Sequence, residues 1–90
     1  MATSDGAIPI GNEPVDAVVR SSVDLGALVR QQRKRLSLNQ LDIAGLGNTG
    51  NRFIVELEKG KPTVQLQKVL DVLDLLGLEL VVRRKTPPAL

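Results

Sequence analysis

Residues 39–60 read NQLDIAGLGNTGNRFIVELEKG, and the fold turns on them. Asn39 suits a helix N-cap, and Asp42 three residues later can return the bond to the Asn39 amide. A helix is expected over 40–46. Gly47-Asn48-Thr49-Gly50 then interrupts the helical period, and Gly and Asn tolerate the positive φ of a tight turn. A second helix is expected over 51–59, with Ile54 and Leu57 facing inward and Phe53 beside them. Gly60 is its stop, Lys59 sits in its last turn, and Pro62 blocks continuation. With Gln40 as position one, the fifth residue is Ala44, the ninth Asn48 and the fifteenth Ile54. Two short helices crossing steeply around a turn need a small residue, a positive-φ residue and a β-branched residue at those places.

Upstream, Ser21-Ser22-Val23-Asp24 has the form of a capping box. It opens a helix expected over 22–36, with Leu25, Leu28, Val29 and Leu36 on one face and Gly26 weakening it slightly. Arg30, Arg33, Lys34 and Arg35 fill much of the rest. Downstream, a fourth helix is expected to start after Thr63 and reach 76, with Gly77 as its stop. Leu66, Val69, Leu70 and Leu73 form its core stripe. Val72 and Leu75 lie off that stripe, towards Lys68, Asp71 and Asp74, and are candidates for a partner surface. Residues 78–84, LELVVRR, change period. Leu78, Leu80 and Val82 alternate with Glu79, Val81 and Arg83, as in a half-buried strand. A lone strand leaves its N–H and C=O groups unpaired, and the economical partner is the same strand of a second copy. The chain thus divides into a flexible tail over 1–20, a helical domain over 21–77, a dimerisation strand over 78–85 and a C-terminal tail over 86–90.

The composition excludes much chemistry. With no His and no Cys among 90 residues, the chain has no Ser-His-Asp or Cys-His triad, thiolate nucleophile, disulfide or ordinary zinc site. The ten acids are scattered, so neither a catalytic set nor a metal site is expected, and no cofactor. One aromatic residue, Phe53, is too few for a single-strand stacking platform. No apolar run approaches membrane-spanning length and no basic-then-apolar leader opens the chain, so a cytoplasmic, non-enzymatic domain is expected. The net charge is +2, but all 12 bases lie after residue 19 against seven of the ten acids, which leaves that part near +5. Arg83, Arg84 and Lys85 add a second basic cluster to that on the first helix. Such a body suits a polyanionic partner, although short charge runs also serve as solvated faces.

The stretch 25–77 resembles the helix-turn-helix of lambda-type phage repressors and Cro, the Xre-like family, at Arg33, Gln40, Ala44, Ile54, Glu58 and Gly60. More narrowly, GNRFIVELEKGKPTVQLQKVLDVLDLLGLEL is similar to the HipB-like antitoxins. The resemblance spans 24–82. It implies a mainly α, lambda-repressor-like four-helix domain whose C-terminal β-strand pairs across a homodimer. It implies double-stranded operator DNA as partner, autorepression of a toxin–antitoxin operon, and a HipA-like kinase toxin as second partner. It places the protein in the bacterial cytoplasm, at the nucleoid. Two other readings stay open: a stand-alone phage or restriction-system regulator, and a protein–protein module that uses the helix-turn-helix only as scaffold.

The resemblance also assigns positions. Gln40 matches the glutamine that opens the second helix and meets the DNA backbone. Thr49, Gly50, Asn51, Arg52 and Val55 match the start and outer face of the recognition helix. There Asn51 can bond adenine, or Arg52 guanine, in the major groove. Glu56, on a flank of that face, can accept from cytosine. Lys59 and Lys34 are expected near phosphate, and Lys59 and Lys61 serve equally as solubilising loop charges. Arg33 and Glu58 match a buried structural ion pair. Val72, Leu75, Leu78, Leu80, Val81 and Val82 are the expected dimerisation residues.

Overall fold

Four helices follow one another in the computed structural model, which describes residues 16–86. They are α1 (Ser22–Arg35), α2 (Gln40–Leu46), α3 (Asn51–Lys59) and α4 (Leu66–Leu75). The expected N-terminal tail lies mostly outside the described residues, as does most of the C-terminal one. None of the helices is long and apolar enough to cross a membrane.

Local chemistry explains where each helix starts. The Asp24 amide donates to Ser21 Oγ at 3.0 Å, which caps α1. The return bond is displaced by one residue from the expected box: Asp24 Oδ2 accepts from the Arg20 amide, also at 3.0 Å. α2 carries the full reciprocal box, with the Asp42 amide donating to Asn39 Oδ1 at 2.8 Å and the Asn39 amide to Asp42 Oδ2 at 2.9 Å. Gly50 and Gln65, which precede α3 and α4, make no side-chain cap.

All four helices end in the same way. Ser37, Asn48, Gly60 and Gly77 have positive φ, of 61°, 53°, 86° and 76°. The amide after each reaches back to a carbonyl five residues earlier: Leu38 to Arg33, Thr49 to Ala44, Lys61 to Glu56, and Leu78 to Leu73. This is the Schellman closure, which satisfies carbonyls that the helix itself leaves without partners. Asn48, Gly60 and Gly77 are where the sequence puts the stops. Ser37, which has no special tolerance of this conformation, is unexpected.

The core comprises Val29, Ile43, Ala44, Ile54, Leu57, Val69, Val72, Leu73 and Leu76, with Leu25, Leu38, Phe53, Val64 and Leu78 packed against it. α3 packs on both α1 and α2, and α2 also meets α4. The expected faces need two corrections. On α1, Leu36 is exposed, and Gly26, Val29 and Arg33 are the buried positions. On α4, Val72 is 1% exposed and belongs to the core, so it is no partner surface, while Leu66 is 64% exposed. The buried stripe is Val69, Val72, Leu73 and Leu76. It has the same spacing as the expected one, shifted by three residues, which turns the helix by about 60°. Both stripes obey the same period, and the packing of the other helices selects the second; Val64, just before the helix, packs on the core in place of Leu66.

At Gly26 the backbones of α1 and α3 come close together. A Cβ there would meet the Leu57 carbonyl oxygen, and would lie 2.7 Å from that of Glu58. Its value is this crossing of α1 on α3, not its local effect on α1.

Among the described residues there is no strand. After Gly77 the chain runs on without regular hydrogen bonding. Leu78 is half-buried on the core, whereas Leu80, Val81 and Val82 are exposed. The expected pairing of 78–84 needs a second chain.

Candidate nucleic-acid interface

α3 has two opposite faces. Ile54 and Leu57 point into the core, and Arg52, Val55, Glu56 and Lys59 recur at helical spacing on the other side. Arg52 and Lys59 are exposed, while Val55 and Glu56 are half-buried. Gly50 and Asn51 are exposed at the N-terminal end, where backbone N–H groups and the helix dipole favour an anion. Lys34, on α1, is exposed as well.

Two other side chains of the expected DNA-contacting set lie against their own chain. Gln40 is half-buried, and its Nε2 donates to Glu58 Oε1 at 3.1 Å, so its side chain braces α2 on α3. The Thr49 hydroxyl is buried without a hydrogen-bond partner and is not presented outward.

Behind the face, Arg33 and Glu58 form the expected ion pair. Arg33 Nε donates to Glu58 Oε2 at 2.6 Å and Nη2 to Oε1 at 3.0 Å, with side chains only 9% and 4% exposed. Arg33 Nη1 also donates to the Leu38 carbonyl at 2.8 Å. The hydrogen bonding to Glu58 holds the Arg33 guanidinium above its ordinary value, against burial, which works the other way. The Arg33–Glu58 pair thus joins α1, the loop before α2, Gln40 at the start of α2, and α3. That fixes the recognition-type helix in its frame.

On the face itself Glu56 has two cationic neighbours. Its Oε2 accepts from Arg52 Nε at 3.2 Å, and its Oε1 lies 3.3 Å from Lys61 Nζ. Partial burial works to raise the Glu56 carboxyl. Hydrogen bonds from Arg52 and Lys61, with their charges, outweigh it and hold the group below the usual glutamate range. Lys61 is the residue that helical spacing misses, because it lies beyond the Gly60 stop. The signal was the stop itself: a left-handed Gly60 folds Lys61 back over the last turn, where its amide donates to the Glu56 carbonyl at 3.0 Å. Among the described residues no three His, Cys, Asp or Glu side chains group as metal ligands.

Two helices across a tight turn, the second braced from behind and polar in front, define a helix-turn-helix. The chain belongs to the HTH-type transcriptional regulators. The uncharacterized HTH-type transcriptional regulator y4mF of Sinorhizobium fredii (strain NBRC 101917 / NGR234) is 52% identical over 59 residues, 66% of this chain and 78% of that protein. No family model matches the chain. Among solved structures, the HipB–O4 20mer complex has a TM-score of 0.73 at 15% identity, over 79% of this chain and 100% of that one. The MDT Protein gives the same TM-score, identity and coverage. At that identity the likeness is one of fold.

Proposed function

We propose that the protein is a sequence-specific, DNA-binding repressor. It reads operator DNA with α3 and acts as a homodimer. The observation that carries this is the outer stripe of α3, with Arg52 exposed and Ile54 and Leu57 anchored behind it, in a chain of the HTH regulator family. Asn51, Arg52 and Val55 are the base readers in this reading, with Gly50, Lys59 and Lys34 near phosphate. The second subunit pairs through 78–84, and Leu75, Leu80, Val81 and Val82 supply exposed apolar surface for it.

The finer reading is an antitoxin of a HipBA-like operon, which autoregulates and holds a HipA-type kinase toxin. Such a protein works in the bacterial cytoplasm, at the nucleoid. Its support is the likeness of fold to HipB. A protein partner beside DNA is also favoured by the outer side of α2, where exposed Leu41 and Leu46 flank Leu38, Asp42 and Gly45. An adjacent open reading frame with kinase motifs supports the toxin partner, and its absence favours a stand-alone regulator.

The test compares two variants on a duplex selected by the protein and on random DNA. Arg52→Ala lowers specific affinity by about 1–3 kcal/mol per half-site and relaxes one base pair. Lys34→Ala weakens all DNA alike and flattens the salt slope by about one unit. Equal effects of both variants on both DNAs would remove α3 as the reader.

A further inference from the structure

The acid on the outer face of α3 contacts two cations of its own chain. Arg52 approaches Glu56 through Nε, and its side chain is 89% exposed while that of Glu56 is 27% exposed. A guanidinium has five N–H donors, and bidentate bonding to guanine O6 and N7 takes two of them. With the Nε edge turned to Glu56, the Nη1 and Nη2 amino groups remain as the outer edge. Lys61 meets the other oxygen of the same carboxylate. One acid between two bases leaves the group at a net positive charge, so the carboxylate does not repel a phosphate as a lone glutamate would.

We infer that Glu56 is a positioning residue: it holds Arg52 by Nε so that the outer guanidinium edge faces a guanine, and Lys61 neutralises it. Glu56 then reads no base itself, which replaces the cytosine contact expected from the sequence. The inference rests on the reading of α3 as the DNA reader. An exposed arginine loses rotamer freedom on binding, and a side chain already biased towards one geometry loses less. An exposed pair is weak, so Glu56 biases Arg52 and does not lock it.

The test uses the full chain and the duplex that it selects from a randomised library, with each base pair replaced in turn. Glu56→Ala is expected to lower preference at the same base pair that Arg52→Ala relaxes, by about tenfold or less. The double variant is expected to be no worse than Arg52→Ala alone. Glu56→Gln, which keeps an acceptor oxygen, should recover part of the preference. In the free protein the Arg52 Nε–H resonance should exchange faster with solvent in Glu56→Ala than in the wild type.

Two results would overturn the inference and leave the DNA reading standing. One is tighter binding by Glu56→Ala with preference intact, which makes Glu56 a restraint on Arg52. The other is a loss at a different base pair, additive with Arg52→Ala, which makes Glu56 a reader. If the wild type selects no duplex, the DNA reading falls and the inference with it, whatever the resonance shows.

Discussion

Gln32 Nε2 donates to the Leu76 carbonyl oxygen at 2.8 Å, tying the C-terminal end of α4 to α1. That carbonyl lies just past the last turn, where the helix supplies few partners of its own. The direction in which the chain leaves towards 78–86 is therefore set from α1. Gln32→Ala should cost about 0.5–1.5 kcal/mol in denaturant unfolding and quicken amide exchange at Gly77 and Leu78. Unchanged exchange at both amides would show that α4 is held by its apolar stripe alone.

Glu58→Ala strands the Arg33 guanidinium in a buried site and also leaves Gln40 without its acceptor. A loss of about 3–5 kcal/mol is expected, enough to unfold a domain of marginal stability. Replacing both charges with apolar residues, Arg33→Met with Glu58→Leu, should restore much of it, because no charge then stays buried unpaired. Urea titration of the single and double variants checks this. A double variant as unstable as the single one would mean that loss of the Arg33 bond to the Leu38 carbonyl offsets the relief of the stranded charge.

Two glycine-to-alanine changes should have opposite signs. At Gly26 the new methyl meets the Leu57 and Glu58 carbonyl oxygens, and a loss of about 1–3 kcal/mol outweighs the helix-propensity gain. At Gly45, in α2, nothing lies within 4 Å of the added Cβ. There the propensity gain of up to about 1 kcal/mol stands alone. Thermal unfolding of the two variants distinguishes them, and two shifts of the same sign would contradict the crossing at Gly26.

Deleting 80–90 should abolish the dimer while leaving the helices folded. The cut begins at Leu80 because Leu78 packs on the core and its amide closes α4 on Leu73 at 2.8 Å. Monomer is expected by sedimentation, with DNA binding at least about a hundredfold weaker through loss of the second half-site. A truncated protein that stays dimeric and binds normally would move the interface to the helices.

The turn between α2 and α3 was legible because its demands are local. Ala44, Asn48 and Ile54 sit at spacings that only such a crossing requires, Asn39 marks a start through its capping side chain, and Gly60 and Gly77 mark ends through their backbone preferences. α4 was legible as a helix but not in its rotation. Leu66, Val69, Leu70 and Leu73 obey the same period as Val69, Val72, Leu73 and Leu76, and only the packing of the other helices selects between them. Gly26 read as a weak helix residue because its value lies across the core, in α3. Ser37 gave no signal, since its left-handed backbone is imposed by the closure of α1. The partners of Glu56 were half legible: Arg52 stands at helical spacing, and Lys61 depends on the turn at Gly60.

The contact at Gly26 also fixes where adjustment can occur. Carbonyls of α3 sit where a side chain of α1 would be, so α3 has no slack to slide along its neighbour. The Arg33–Glu58 bonds hold the same pair of helices about two turns further along α1. In the proposed repressor the reading head is therefore stiff, and sites of differing shape must be met by bending or twisting of the duplex. The remaining freedom lies in the chain after Leu78, which carries one head relative to the other. Tolerance of half-site spacing would then be a property of that short connection, and tolerance of sequence a property of how easily the DNA deforms.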